Sequence, residues 1–136
     1  MSGMQLLALC VVFLPGVVLG ASLPGGFYRR RWDADPIYSQ MAHFAVAQHT
    51  AGHEYFDTVL ELFEVDVQSA AGFNYRLRFT TAESTCRGAE TYSPDICRPK
   101  KKQAKEVCTA FVFYVPWVGR RSVKSMRCQP ARSRFH

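Results

Sequence analysis

Residues 58–79, TVLELFEVDVQSAAGFNYRLRF, contain two strand-like segments joined by a run of small residues. In the second segment, residues 73–79, apolar and polar side chains alternate, which is the pattern of a strand with one buried face. The joining run ends in Gly72, and glycine adopts positive φ without steric cost, so we expect a tight hairpin. A tip of such small residues can enter a narrow cleft backbone first, although the motif alone is better explained as an ordinary turn.

A helix is predicted over residues 35–50, where Asp35 suits the N-cap and Pro36 the first helical position. Gly52 is a suitable C-terminal stop. Apolar side chains at helical spacing predict one face that packs against a sheet. The predicted face consists of Ile37, Tyr38, Met41, Ala42, Phe44, Ala45 and Gln48. His49 and His53 have metal-compatible spacing, but further ligands are lacking, so we expect exposed histidines rather than a metal site.

The chain after Phe79 predicts a loop followed by a second hairpin. Residues 80–106 are interpreted as a loop because Thr, Ser, Gly and Pro recur there. Residues 108–115 are β-branched and aromatic, as in a central strand, and residues 120–128 return as another strand. Trp117 lies at the tip between them, either exposed as a binding anchor or folded back on the core, and the residues favour neither.

The predicted fold class is therefore α+β, with a curled antiparallel β-sheet wrapped across one long α-helix. At least four strands are expected, joined by hairpins. The last eight residues, 129–136, have no periodicity and are expected to be flexible.

The amino-terminal segment has the properties of a secretory signal peptide. Residues 4–20 carry no charge, and Pro15 and Gly16 make the apolar run too short and broken for a membrane anchor. No Lys or Arg precedes the run, which is unusual for such a leader. We expect residues 1–20 to be removed by cleavage near residues 20–22, leaving a single secreted, extracellular domain at 21–136.

Cysteine usage fits an oxidising compartment. Of five cysteines, Cys10 lies in the leader, and the remaining even number implies two disulfides. Three pairings are open. We prefer Cys86–Cys97 with Cys108–Cys128, because this sequential pairing closes two short loops. Zinc binding would require CxxC or Cys/His pairs at ligand spacing, which are absent, so no metal or cofactor is expected.

The net charge of +6 permits attraction to acidic surfaces without indicating nucleic-acid binding or membrane insertion. The basic clusters are short and are interpreted as solvated surface. They are residues 29–31, 100–102 and 120–121.

Three small or apolar elements can meet at one end of such a fold. They are the mobile arm before Phe27, the first hairpin tip and the second hairpin tip. In a helix-on-sheet meander, alternate hairpins lie at the same end, and a free arm can reach them. Together they would form a wedge.

These motifs, in this order, resemble those of secreted type-2 cystatins, which inhibit papain-like cysteine proteases. Gly25 is followed by Gly26, the first tip Gln68-Ser-Ala-Ala-Gly72 corresponds to the family's Gln-x-Val-x-Gly motif with Ala in place of Val, and Pro116 precedes Trp117. Four late cysteines match the family's sequential pairing. The segments at residues 43–46 and 72–75 are also similar, and residues 35–45 resemble secreted tick cystatins.

The resemblance implies reversible, competitive inhibition of papain-like proteases such as cathepsins L, S and C, with no catalytic residue in this chain. The implied protease-binding residues are Leu23, Pro24, Gly25, Gly26, Gln68, Ser69, Ala70, Ala71, Gly72, Pro116 and Trp117. The arm would occupy the non-primed subsites, the first tip would lie beside the enzyme's catalytic Cys and His, and the second tip would cover the primed side. A monomer is expected, with domain swapping through the first hairpin as the alternative.

This chain departs from the family pattern at three places. Ala70 replaces the central Val of the first-tip motif, and Pro24 replaces a larger aliphatic residue. Residues 50–56 lack the Ser-Asn-Asp of cystatins that also inhibit legumain, so no legumain inhibition is expected.

Other classes of protein fit less well. An enzyme is disfavoured because the chain has no GxSxG or HExxH motif. A cystatin-fold precursor of a cationic host-defence peptide would need a longer basic tail than residues 130–136. A non-inhibitory, immunomodulatory or membrane-surface effector that uses the positive charge stays open as an additional role.

Overall fold

The computed structural model describes residues 26–132 as one helix and a five-stranded antiparallel sheet. The predicted signal peptide, Leu23, Pro24, Gly25 and residues 133–136 lie outside the described residues. The elements are β1 (Tyr28–Arg30), α1 (Pro36–Thr50), β2 (Tyr55–Ser69), β3 (Phe73–Arg87), β4 (Glu106–Val115), a 3-10 turn (Pro116–Val118) and β5 (Arg120–Pro130).

The strands are ordered β1-β2-β3-β4-β5, so each strand pairs with its neighbours in the chain. β2 and β3 are each 15 residues long, and irregularities in their pairing interrupt the ladder at three places along β2. Bulges of this kind bend strands and increase their twist. The predicted α+β class, with a curled sheet across one helix, is confirmed.

The predicted helix and its cap are confirmed. The Asp35 carboxylate accepts a hydrogen bond from the backbone N–H of Ile37 at 2.9 Å, and Pro36 is the first helical residue. The helix ends at Thr50, and Gly52 follows with φ 90°, a conformation that favours glycine.

The buried face of α1 differs in part from the predicted one. It consists of Tyr38, Met41, Ala42, Ala45, Val46 and Thr50. Gln48 is exposed, and Phe44 is only half-buried, with the Arg121 guanidinium 4.2 Å from its ring centroid. The predicted face was centred on the large Phe44, whereas the observed face is rotated towards Val46 and Thr50 and away from Gln48.

The predicted loop at residues 80–106 is wrong for its first eight residues and for Glu106, which is the first residue of β4. β3 continues through Arg87, with Thr80 opposite Glu61 and Thr81 opposite Val59. β-branched Thr suits a strand, and both Thr side chains are buried, whereas in the sequence they resemble a polar loop. The loop of the structure begins only after Arg87.

Both ends of the sheet extend beyond the prediction. Tyr28–Arg30 forms the short strand β1 on β2, in a segment that was interpreted as arm and solvated surface. At the other end, Gln129 and Pro130 belong to β5, where they pair with Val107 and Glu106, so they are not part of a flexible tail.

The sequential disulfides are present, so the preferred pairing is confirmed. Cys108 and Cys128 face one another across β4 and β5. Cys86 and Cys97 join the end of β3 to the following loop and pack with Phe56 in a small second core.

The main core lies between α1 and the concave face of the sheet. Its fully buried side chains include Met41 and Val46 from the helix and Val65, Leu77 and Phe79 from the sheet. Within residues 26–132, no helix has the length and apolar character needed to cross a membrane.

Candidate functional site

Both hairpin tips lie at the same end of the sheet, as predicted. Phe73, the first residue of β3, pairs with Tyr114 near the end of β4, so the two turns are neighbours. β1 runs antiparallel to β2, with Tyr28 opposite Val67, so the chain enters β1 from this same end. We call the described part of this end, Gly26 with residues 69–72 and 116–119, the tip surface.

The first tip presents its backbone rather than bulky side chains. Ser69 pairs with Phe73, and the Ala70 N–H donates a hydrogen bond to the Gly72 carbonyl at 2.9 Å, which closes the turn. Ala71 has φ 53°, a left-handed conformation that is uncommon for a residue with a Cβ. The side chains of Ser69, Ala70 and Ala71 are exposed and small, so a partner surface can approach the main chain closely.

A side-chain hydrogen bond supports the base of this tip. The Asn74 amide nitrogen donates to the Gln68 side-chain oxygen at 3.0 Å, across the last pairs of β2 and β3. The bond links the two strands immediately below the turn, which limits the number of conformations the tip can adopt.

The second tip holds a tryptophan in solvent. Pro116–Val118 forms a 3-10 turn, and Gly119 closes it with φ 67° and an N–H donated to the Pro116 carbonyl at 3.1 Å. Trp117 is 68% exposed and Val118 is 64% exposed. Of the two orientations open from the sequence, the structure therefore has the exposed one.

The two tips touch each other through their supporting strands. Gly72 is buried against the Phe113 ring and the Tyr114 backbone of β4. These β4 residues were not among the predicted site residues, although their position just before Pro116 was a signal.

An ion-pair network anchors the strand that follows the arm. Asp66, only 6% exposed, accepts from Arg29 of β1 at 2.6 Å and from Arg76 of β3 at 3.1 Å. Phe27 adds an edge-to-face contact with Phe111, at 6.3 Å between ring centroids. Arg29 is therefore part of a network that joins β1 to the sheet, where the sequence predicted only solvated surface. Side-chain pairing across strands is not visible in a sequence before the register is known.

The chemistry of the tip surface is that of a binding surface. Its described residues are Gly, Ala, Ser, Pro, Trp and Val, and they include no titratable side chain. Tyr75 lies behind the surface, where burial raises the pKa of its hydroxyl to about 12, so it stays neutral at physiological pH.

Among the described residues, one group of side chains has a metal-like arrangement, formed by Glu106, Cys108 and Cys128. Both of its sulfur atoms are in the Cys108–Cys128 disulfide, so neither is available as a thiolate ligand.

A comparison with protein families bears on this arrangement of the two tips. The model of the cystatin domain matches residues 29–117 of this chain. The chain belongs to the cystatin family. Cystatins are inhibitors of cysteine proteases and not enzymes, which confirms the expectation that this chain is not an enzyme.

Curated tick cystatins are similar over most of their length. Mialostatin of Ixodes ricinus is 42% identical over 129 residues, covering 86% of this chain and 91% of that protein. Cystatin-2 of Ornithodoros moubata is 38% identical over 126 residues, covering 90% and 95%. The resemblance to tick cystatins is confirmed.

Solved structures agree with the fold. The crystal structure of mialostatin, a gut cystatin, matches with a TM-score of 0.73, covering 79% of this chain and 100% of that one at 39% identity. A salivary cystatin of Ornithodoros moubata matches with a TM-score of 0.72, covering 79% and 99%.

Proposed function

We propose that this cystatin is a secreted, reversible, competitive inhibitor of papain-like cysteine proteases of the cathepsin L, S and C type. The tip surface and the preceding arm would enter the active-site cleft as a three-part wedge. No bond to the catalytic thiolate would form, because the wedge would not place a peptide bond in the position where the thiolate attacks a substrate.

The observation that carries the proposal is the exposure of Trp117 beside the small first tip. An aromatic side chain that is 68% exposed in the free protein has a large apolar surface still to bury, and anchors of this kind dominate interface energetics. Residues 69–71 add a narrow neighbour with little side-chain bulk. In the proposed complex, Trp117 covers the primed side, while Gln68, Ser69, Ala70, Ala71 and Gly72 approach the catalytic Cys and His.

Pre-organisation is expected to supply much of the affinity. The Ala70–Gly72 hydrogen bond, the Gln68–Asn74 bond and the 3-10 turn hold both tips in one conformation before binding. A rigid binder loses less conformational entropy when it associates. The tips can therefore bind tightly with few contacts.

The arm would form the third part of the wedge. Leu23 and Pro24 would occupy the non-primed subsites, and Gly25 would provide the bend that turns the next peptide bond away from the thiolate. The direction of β1 supports this role, because the chain preceding Tyr28 starts from the tip end of the sheet. We further infer that residues 1–20 are a signal peptide and that the domain at 21–136 acts extracellularly as a monomer.

Active-site titration of papain and cathepsin L tests the proposal. The oxidised protein from residue 21 would be compared with Gly25→Glu, Trp117→Ala and Trp32→Ala. Trp32 is the matched control, because it is also an exposed tryptophan, at 53%, but lies before α1 and away from the tip surface. We expect tight competitive inhibition that both wedge variants weaken at least tenfold and that Trp32→Ala leaves unchanged.

Two results would contradict the proposal. The first is no inhibition at micromolar concentrations of correctly oxidised, folded protein. The second is equal weakening by Trp32→Ala and Trp117→Ala. The first would favour a non-inhibitory effector that retains the cystatin fold, and the second would show that Trp117 is not a specific anchor of the inhibitory surface.

We also propose that the chain does not inhibit legumain. The turn at residues 51–54 is short and lacks the Ser-Asn-Asp motif. Nanomolar inhibition of an asparaginyl endopeptidase would contradict this proposal, whatever the result with papain.

A further inference from the structure

The positive charge of this protein is concentrated in its last strand and tail. Residues 107–136 contain six Lys or Arg side chains and no Asp or Glu. The preceding 106 residues contain the other 11 basic side chains and all 11 acidic ones, so they are neutral as a set. The whole net charge of +6 therefore belongs to the final 30 residues.

Most of this charge lies along one exposed edge of the sheet. β5 is the last strand in the order β1-β2-β3-β4-β5, so one side of its backbone has no partner strand among the described residues. Arg120, Lys124 and Arg127 are exposed, whereas the exposed Arg121 turns towards α1, with its guanidinium 4.2 Å from the Phe44 ring centroid. At about 3.3 Å per residue, the three side chains other than Arg121 extend over roughly 23 Å. We call these three side chains the β5 row.

The β5 row has no acidic partner in the part of the chain that the structure describes, whereas seven of the 11 basic side chains before β5 form an ion pair. Arg29, Arg76 and Arg78 form ion pairs with carboxylates of β2, and Lys105 forms one with Asp57. In residues 26–132, no carboxylate forms an ion pair with a member of the β5 row. Its charge is therefore not neutralised locally.

A bulge orients the centre of the row. Phe111 pairs with Ser125 and Val112 pairs with Val123, so Lys124 is an extra residue between two paired positions. Val123, Met126 and Cys128 pack on the core, which leaves Lys124 and Arg127 both pointing to solvent. The Lys124 ammonium lies 5.2 Å from the centroid of the Phe113 ring, which holds it above the sheet edge.

Charged side chains on an edge strand also prevent edge-to-edge pairing of sheets. Charges of mixed sign would serve that purpose as well. A row of a single sign, in a segment without carboxylates, additionally creates a field that attracts polyanions.

We propose that the β5 row is a binding site for a linear sulfated polysaccharide. The row is extended and narrow, and polar Ser122, Ser125 and Gln129 lie between and beside its cations, where they can hydrogen-bond sulfate and hydroxyl groups. Sulfates repeated along a flexible chain match a line of cations better than they match a compact pocket.

The composition of the row favours a polysaccharide over a membrane or a nucleic acid. Surface binding to a membrane gains from apolar side chains that enter the lipid, and β5 has no large exposed hydrophobic residue. Single-stranded nucleic acids stack on exposed aromatic side chains, and β5 contains none. The exposed Trp117 and Val118 lie beyond the end of β5.

The site is separate from the proposed protease-binding surface. Arg127 is opposite Thr109, six residues before the end of β4, and therefore roughly 20 Å from the tips. A polysaccharide on the outer part of the row would leave both tips free, so the inhibitor could be retained on a sulfated matrix while it binds a protease. The polysaccharide site does not depend on the inhibitory function.

Calorimetric titration with a heparin decasaccharide at 50, 150 and 300 mM NaCl tests the proposal. The double variant Lys124→Gln/Arg127→Gln would be compared with Lys101→Gln/Lys102→Gln. The control removes the same charge from two exposed lysines of the loop before β4 that form no ion pair with a described carboxylate. We expect the row variant to lose at least tenfold affinity at 150 mM NaCl and the control to lose less than threefold.

The salt dependence gives a second readout. The slope of log affinity against log salt should decrease by up to about two in the row variant, because two cation–anion contacts are lost. Papain inhibition should be unchanged in both variants, which would show that they fold. Equal losses in the two variants, or no heparin binding by the unmodified protein, would overturn the proposal. Binding to phosphatidylserine vesicles without binding to heparin would also overturn it, in favour of a membrane surface.

Discussion

Gly72 lies so close to Tyr114 that a side chain cannot be added without displacing the backbone. A β-carbon at position 72 would be 2.9 Å from the Tyr114 carbonyl oxygen and 3.0 Å from the Phe113 ring. Gly72 also has φ 140°, which residues with a Cβ rarely adopt. The close approach of the two hairpins therefore depends on this glycine in two ways.

Replacing Gly72 with alanine should separate the two tips. We expect Gly72→Ala to destabilise the fold by about 3 kcal/mol, from backbone strain and overpacking together, and to weaken papain inhibition more than tenfold. Gly119→Ala is the control, because Gly119 has φ 67° but nothing within 4 Å of the added carbon. Its cost should be about 1 kcal/mol. Urea unfolding and papain titration would measure stability and inhibition for the two variants. Similar losses in Gly72→Ala and Gly119→Ala would show that contact with Tyr114 and Phe113 is not the cause.

Replacing Ala70 with valine should improve inhibition without changing stability. Ala70 is exposed in the free protein, so two added methyl groups would be buried only in the complex. Their burial contributes about 1 kcal/mol, or roughly a fivefold increase in affinity for cathepsin L. If Ala70→Val changed the melting temperature and not the inhibition constant, position 70 would be a structural position instead.

The neighbouring position provides the matched control. Ala71→Val adds the same two methyl groups at φ 53°, where a β-branched residue is strongly disfavoured. We expect a loss of stability of about 1–2 kcal/mol and weaker inhibition. If Ala70→Val strengthens inhibition and Ala71→Val weakens it, the difference must come from the backbone conformation at the two positions, because the added hydrophobic groups are the same.

Asp66 should couple the arm to the rest of the wedge. Asp66→Asn removes the charge that pairs with Arg29 and Arg76. We expect a loss of about 1–2 kcal/mol, since Asp66 is buried while both arginines reach solvent. Asp33→Asn, which removes an exposed pair with Arg31, should have no measurable effect on stability.

The effect of Asp66→Asn on inhibition should depend on the arm. Asp66→Asn should weaken papain binding by the protein that starts at residue 21. It should have no such effect in a protein that starts at residue 26, because the arm that Asp66 helps to position is absent. This double-mutant comparison separates positioning of the arm from a general loss of stability. An equal loss with and without the arm would contradict the coupling.

Stability should fall in mild acid because of His43. The Nδ1 atom of His43 lies 2.6 Å from the Tyr92 hydroxyl, which is itself 2.7 Å from the Thr58 hydroxyl. Burial lowers the pKa of His43 to about 4, and the nearby Asp95 carboxylate opposes this only in part. Between pH 6.5 and 4 the unfolded chain therefore binds more protons at this residue than the folded one. The stabilisation is complete above pH 6.5 and is lost as the pH falls towards 4.

The expected loss is up to about 3 kcal/mol, since one pKa unit corresponds to ~1.4 kcal/mol. Urea midpoints measured from pH 7.5 to pH 4 would show it. His43→Gln should flatten the profile in this window, whereas His49→Gln, at the exposed end of the same helix, should not. An unchanged slope in His43→Gln would assign the pH dependence to other groups.

Local signals in the sequence were sufficient for the helix and the two hairpins, and they favoured the observed disulfide pairing among three possible ones. Asp35 and Pro36 define the start of α1 by hydrogen bonding and ring geometry, which involve only adjacent residues. Gly72 and Gly119 mark the two turns because their conformations are local. The resemblance to cystatins rested on the same short motifs, and the family match at residues 29–117 confirms it.

Features that depend on pairing between distant strands were decided only by the tertiary structure. Thr80 and Thr81 become strand residues because β2 lies beside them, and Arg29 becomes an anchor because the register brings it to Asp66. Trp117 illustrates the same limit: its sequence context allowed both a buried and an exposed side chain. The 3-10 turn carries Trp117 past the end of the sheet, where no core remains to cover it. Composition and short motifs determined the family. The register of the five strands decided which side chains pair with one another across the sheet and which stay exposed.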